Sequence, residues 1–403
     1  MRGVLLVNNL NFKEHLIDDT LIYVYGISSV DLTGNGFLDL IAVETNIGLY
    51  WYENDGNGNF SKHVIHEKPG EWLERHIVAD INNDGKPEII FVDNIGGSLL
   101  WFEFDGDPRD KKSWKYHYVS EREFPSAYNV TAGDINNDGQ LELAASAYVH
   151  GGNRFSWFER SQGSWTQHLI EENIPETRTV ELADFTNNGF LDLLGSSASN
   201  GQIIIYENLG NSVKNRWSKH VIDIFNGPKH GHAVDLNNNG NMDILMTGGL
   251  PLNANSSVTG FDSNDMSTRD LMLQEKIVWY ENPGGSDFSK SWKKHTIFDG
   301  FNGFEVIAAD LDNDGQLEVI ASALGPSLNI PSGGIYVFKH RGDPKGKWDM
   351  KIIKENWKET EQILSVDINS NGLKDIVGVA NCTNLNGRPQ SAKNELRWWE
   401  NLG

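Results

Sequence analysis

Short apolar runs recur along this chain, separated by polar, glycine-rich breaks. "LIAVE", "IIFVD", "LAASA", "LLGSS", "ILMTG", "VIASA" and "IVGVA" each have the length of a buried strand and are too short for a helix. An aromatic segment follows each of them: "LYWYEN", "LLWFEF", "FSWFER", "IIIYEN", "IVWYEN", "IYVFKH" and "LRWWEN". A third kind of segment opens with Trp or Phe and reaches a histidine after two further residues, as in "FSKHVI", "WKYHYV", "WTQHLI", "WSKHVI" and "WKKHTI". In "WDMKII", Lys351 stands where the histidine would be. With the strand that leads into each polar loop, the pattern predicts four strands per unit.

The polar loop itself is repeated. "DLTGNGFLD" at Asp31, "DINNDGKPE" at Asp80, "DINNDGQLE" at Asp134 and "DFTNNGFLD" at Asp184 are followed by "DLNNNGNMD" at Asp235, "DLDNDGQLE" at Asp310 and "DINSNGLKD" at Asp367. Repetition at this period marks a propeller or a solenoid. Four-stranded units arranged radially leave only short, protected sheet edges. The chain stops at "LRWWENLG", after a third strand, and opens with "NFKEHLIDD", a fourth strand with no three before it. Strands from both ends would therefore complete one blade, which favours a closed ring. The expected fold is all-β: a single seven-bladed β-propeller over 1–403, closed by strand 12–17, with a long insertion at 250–275 in blade five.

Each loop places oxygen-bearing side chains at positions one, three, five and nine, and glycine at six. The sets are Asp31, Thr33, Asn35 and Asp39; Asp80, Asn82, Asp84 and Glu88; Asp134, Asn136, Asp138 and Glu142; and Asp184, Thr186, Asn188 and Asp192. They continue with Asp235, Asn237, Asn239 and Asp243; Asp310, Asp312, Asp314 and Glu318; and Asp367, Asn369, Asn371 and Asp375. Ca²⁺ takes six to eight oxygen ligands, and the glycine permits the turn that wraps it. Loops of this composition also close on their own backbone without metal. The acid kept at position nine in all seven copies favours several structural Ca²⁺ sites. Unit six, with four carboxylates, is expected to bind most tightly.

These units resemble the FG-GAP/VCBS family of calcium-binding propeller repeats, and "ENDGNGNF" at 53–60 resembles that family's turn between the third and fourth strands. The resemblance implies a calcium-stabilised propeller. "VWYENPGG", "WKKHTI" and a histidine close before the Asp loop also resemble the propeller part of fungal aldos-2-ulose dehydratases.

Composition narrows the partners. A formal charge of −22 argues against nucleic acid and anionic membranes, which need basic surface. No apolar run approaches the roughly 18 residues of a membrane span, and a monomer is expected. One cysteine, Cys382, leaves no intramolecular disulfide. "MRGVLLVNNL" has too short an apolar core for a signal peptide. Calcium loops favour a secreted or periplasmic location, and the cytoplasm stays open because no leader is visible.

Six of the 12 histidines occupy the repeated strand position, where packing and a blade-to-blade hydrogen bond explain them. His230 and His232 depart from the repeat, just before the fifth loop. Counting five residues back from each leading Asp gives Gly26, Arg75, Asn129, Thr179, His230, Glu305 and Gln362, a polar ring at the face opposite the loops. Long second-to-third-strand connections in units three, five, six and seven would wall a pocket there. Candidate catalytic residues are His230, His232, His76, His150, Tyr128, Tyr148, Arg75, Arg178 and Glu305. Trp72, Trp357, Arg154, Arg388 and Glu181 are candidate substrate contacts.

Two functional classes fit. A carbohydrate lyase or dehydratase needs a base beside a carbonyl or carboxylate and a group that holds the enolate; His, Tyr and Arg supply these, or a histidine-bound Zn²⁺ or similar ion does. A lectin-like or adhesion propeller needs only the aromatic and polar rim. The mouth residues differ from blade to blade, which favours one carbohydrate or glycan pocket over seven equivalent sites.

Overall fold

The computed structural model of the protein describes residues 10–45, 48–67, 70–148, 152–210, 216–249, 275–357, 359–381 and 393–403. They form seven four-stranded antiparallel sheets. Blade one takes the strands Val24–Val30, Asp39–Glu44, Gly48–Asn54 and Phe60–Glu67 in order, and five further blades repeat this. The seventh combines Thr360–Val366, Asp375–Ala380 and Glu395–Asn401 with the N-terminal strand Phe12–Asp18. Phe12 pairs with Asn401 and His15 with Trp398, so the ring closes as the sequence predicts. The insertion expected at 250–275 lies outside the described residues apart from Glu275.

The second strand of every blade is buried at all six of its residues. Their apolar runs are continuous because neighbouring blades cover both faces. Ile41, Val43 and Trp51 of blade one share a cluster with Ile89, Phe91 and Phe102 of blade two. The core therefore lies between blades.

Fourth-strand histidines are structural, through a contact different from the expected one. His63, His117, His168, His220, His295 and His15 each bond a third-strand glutamate of the same blade, at 2.8–3.1 Å. Five of them stack on a third-strand Trp, and His220, whose blade has Ile205 there, stacks on Phe288. The bond stays within the blade because neighbours on adjacent strands already face each other.

Candidate functional site

Every innermost strand breaks register near its start. The breaks fall between Val24 and Gly26, Leu73 and His76, Ala127 and Asn129, Thr177 and Val180, Pro228 and Gly231, Gly303 and Val306, and Thr360 and Ile363. A bulge frees residues from the ladder and re-aims their side chains. Here it delivers Tyr25, Glu74, Tyr128, Arg178, Phe304 and Glu361 to one cavity of about 560 Å³ on the propeller axis. These six lie six residues before their leading aspartates, not five. The acidic loops begin at the other end of the same strands, about 20 Å away at ~3.3 Å per residue. Tyr148 and Leu324–Pro326 bring the unit-three and unit-six connections into the cavity wall, as expected.

Tyr128 is the hub. Its hydroxyl lies 2.7 Å from Tyr25 Oη and 2.9 Å from His230 Nε2, and accepts a bond from Arg178 at 3.2 Å. Arg178 also donates to Tyr148 Oη at 3.0 Å, and its guanidinium lies 4.9 Å from the Tyr148 ring centre. His230 packs between Tyr128 and Phe304, with ring centres 5.6 and 4.9 Å away. Deeper on the axis, Arg75 of blade two grips Glu305 of blade six through both terminal guanidinium nitrogens. Glu74 accepts the Trp72 indole N–H at 2.8 Å.

Burial sets the charge states. It holds His230 well below its ordinary value, helped by Arg75, Arg178 and Lys229, so the ring is neutral. Burial raises Tyr128 against the opposing pull of Arg178 and Arg75. It lowers His76 to about 3 and Lys229 to about 8. For His232 burial also pulls down, but the Glu181 carboxylate at 3.0 Å outweighs it and raises the group.

Glu74 and Glu361 are pushed from 4.5 to about 8, first by burial and then by neighbouring carboxylates, with Arg75 and Arg178 opposing. The native state then holds protons that the unfolded chain has released. Stability should fall as pH rises through the window from 4.5 to about 8. Glu74→Gln should flatten that fall, as read from melting temperature against pH; a curve parallel to the wild type would contradict the assignment.

Not all candidates converge. Tyr128, Tyr148 and Arg178 line the cavity, whereas His230, Arg75 and Glu305 lie behind it. His230 and His232 do not form a two-point ligand. The bulge puts His230 on Tyr128, while His232 pairs with Glu181. His76 bonds Ser28 at 2.7 Å. Among the described residues, neither three-carboxylate cluster fit for a metal includes a histidine. Trp72 is half-buried near the rim, 6.3 Å from the Tyr23 ring. Trp357 is no stacking platform: it is 3% exposed, packed against Trp399 and bonded to Glu395. Arg154 sits near Gly152 and Phe124, away from the cavity lining. His150 and Arg388 lie outside the described residues. The sequence reading missed Tyr23, Tyr25, Glu74, Phe304, Glu359 and Glu361, all of which line the cavity.

The acidic loops divide into two kinds. In all seven, the position-six glycine has φ of +81° to +87°, a region that favours glycine. The ninth residue is buried in each. In blades one, four, five and seven it is Asp39, Asp192, Asp243 or Asp375, and both its oxygens accept backbone amides. One of those amides belongs to Asn54, Asn208, Asn282 or Asn401, whose side chain clasps the preceding blade's loop at Ile368, Ile135, Phe185 or Leu311. Blades two, three and six carry Glu88, Glu142 and Glu318. The extra methylene leaves one oxygen on the position-two amide and turns the other into the loop. Asp80, Asp84 and Glu88 bring oxygens within 4.8 Å of one another, as do Asp310, Asp312 and Glu318, a spacing that fits a divalent cation.

Loop six contains a cation of its own. Lys339 Nζ lies 2.6 Å from Asp312, 2.9 Å from Asp314 and 2.8 Å from Glu318. The other six blades have glutamate at this third-strand position, bonded to the fourth-strand histidine; blade six has Lys339 and Lys351. The count of carboxylates that ranked this loop first leaves out that ammonium.

Residues 31–91, 80–145 and 184–246 match the FG-GAP-like repeat family. No curated protein sequence matches the chain. Among solved structures, a chain of the crystal structure of BBS1N in complex with ARL6DN is similar at 9% identity, with a TM-score of 0.55 and coverage of 96% of each chain. A luciferin-regenerating enzyme is similar at 10% identity and a TM-score of 0.45, over 84% of this chain and 99% of that one. At these identities the first likeness supports the fold alone. The protein is a seven-bladed β-propeller that carries FG-GAP-like repeats.

Proposed function

We propose that the axial cavity is a single carbohydrate pocket in which Tyr128 carries out proton transfer during elimination from a sugar, on a propeller stabilised by calcium. The observation that carries this reading is the Tyr128 hub: one hydroxyl at the cavity wall shared by Arg178, Tyr25 and a neutral His230. Tyr128 Oη, ionised beside the Arg178 guanidinium with neutral His230 and Tyr25 as further hydrogen-bond donors, takes the proton beside the substrate carbonyl or carboxylate. The C–H electron pair forms the double bond while the neighbouring C–O bond breaks. The proton now on Tyr128 passes to the leaving oxygen, so water or an alcohol departs and the phenolate is restored. Arg178 holds the charge that develops on the carbonyl or carboxylate oxygen. Incubation with a panel of uronate-containing polysaccharides and keto sugars, read by absorbance of the unsaturated product, tests this. Turnover supports the lyase reading; sugar binding without product would make the propeller a lectin-like module.

Calcium would be held by the loops, which supply its oxygen ligands and gain rigidity. Loop two, with Asp80, Asp84 and Glu88, is then the strongest site, and loop six is charge-compensated by Lys339. Equilibrium dialysis of wild type and Lys339→Ala should show at least one additional calcium bound by the variant. Equal calcium content in the two would contradict the role given to Lys339.

A further inference from the structure

We propose that the acidic side of the axial cavity is a subsite for a protonated amine, so that the ligand is an amino sugar with a free amino group. The inference rests on the reading of the cavity as a carbohydrate pocket and adds the charge of what it binds.

Glu74 and Glu361 are 7% and 4% exposed, and both line the cavity. Glu74 Oε1 receives the Trp72 indole, while buried Oε2 has no hydrogen-bond partner among the described residues. Glu361 receives the Tyr23 hydroxyl at 3.5 Å, the long limit of a hydrogen bond, with the Asn381 amide as another neighbour. Buried carboxylates are costly unless a cation or several donors meet them. The nearby cations are directed elsewhere: Arg75 to Glu305, Arg178 to Tyr128 and Tyr148, and the Lys229 ammonium, which also feels Glu361, to Asn302.

The same side of the cavity is aromatic. Tyr23 lies 6.3 Å from Trp72 and 6.4 Å from Tyr25, ring centre to ring centre. Such faces attract a cation through the ring quadrupole. An ammonium brings a positive charge and three donors, enough to serve both carboxylates; a sugar hydroxyl brings one donor and no charge. Glu359 also lines this side and adds to the negative field. Because both acids sit near 8 in the empty pocket, amine binding at neutral pH should expel protons.

Titration calorimetry tests this with three probes: a glucosamine oligosaccharide, its N-acetylated counterpart, and methylammonium. Each is run at pH 7 in two buffers of different ionisation enthalpy. The free-amine oligosaccharide should bind at least tenfold tighter than the acetylated one and release protons. Glu74→Gln, and separately Glu361→Gln, should remove most of that preference; two variants guard against one failing to fold. Equal affinity for both sugars would overturn the amine subsite and leave the carbohydrate pocket standing. Methylammonium binding without sugar binding would support the cation site and remove the carbohydrate reading. No binding by any probe would overturn the subsite.

Discussion

Arg75→Met should cost the propeller about 3–5 kcal/mol, the usual loss when one partner of a buried ion pair is removed. Arg75 is 5% exposed and Glu305 8%, and the guanidinium fork joins blades two and six across the axis. Without Arg75, the Glu305 carboxylate would lie buried without its guanidinium partner, near the His232–Glu181 pair. Replacing both residues by methionine should recover much of the loss, because two apolar side chains carry no desolvation penalty. Denaturant midpoints of the single and double variants measure this. A single variant as stable as wild type would show that the pair does not brace the ring.

Tyr128→Phe should lower kcat by about 10²–10⁴-fold on any sugar the wild type converts, the range for loss of a positioned proton-transfer group. The ring stays, so its stacking with Tyr148 and His230 is kept. Only the hydroxyl at the centre of three hydrogen bonds is removed. Stability should drop by only about 1–3 kcal/mol, from donors left unpaired on Arg178 and Tyr25. A variant with unchanged kcat would overturn the assignment of proton transfer to Tyr128.

The architecture is legible in the sequence because every blade must bury the same strands against the same neighbours. Repetition turns weak single-strand signals into a strong one, and ring closure follows from which strand each terminus supplies. The site is less legible because it is built where the repeat fails. A bulge in each inner strand changes which residue faces the axis, so counting five residues back selects Arg75, His230 and Glu305 behind the wall. Counting six selects residues that line it in every blade but the fifth, where Lys229 is not part of the lining. Connection residues are also ambiguous: Trp72 lies beside Tyr23 and Glu74 of the cavity wall, while Trp357 is drawn into the core between blades six and seven.

The acidic loops show a different difficulty. Position nine reads as one ligand type in the sequence, yet a single methylene divides it. Aspartate satisfies two backbone amides, whereas glutamate satisfies one and extends its second oxygen into the loop. Lys339 was visible as well, because it and Lys351 break the Glu–His pairing in the same blade. That signal lies outside the loop, on strands whose other members looked purely structural.

Ligand binding is assigned to one axial cavity and to no repeated blade site. Titration calorimetry with the tightest-binding oligosaccharide of the polysaccharide panel, on wild type and Trp72→Ala, tests it most directly. One ligand per chain and at least tenfold weaker binding in the variant are expected, because the lost indole lies against Tyr23 and bonds Glu74, two residues of the cavity wall. Several equivalent ligands per chain, or one ligand bound equally well by the variant, would contradict it.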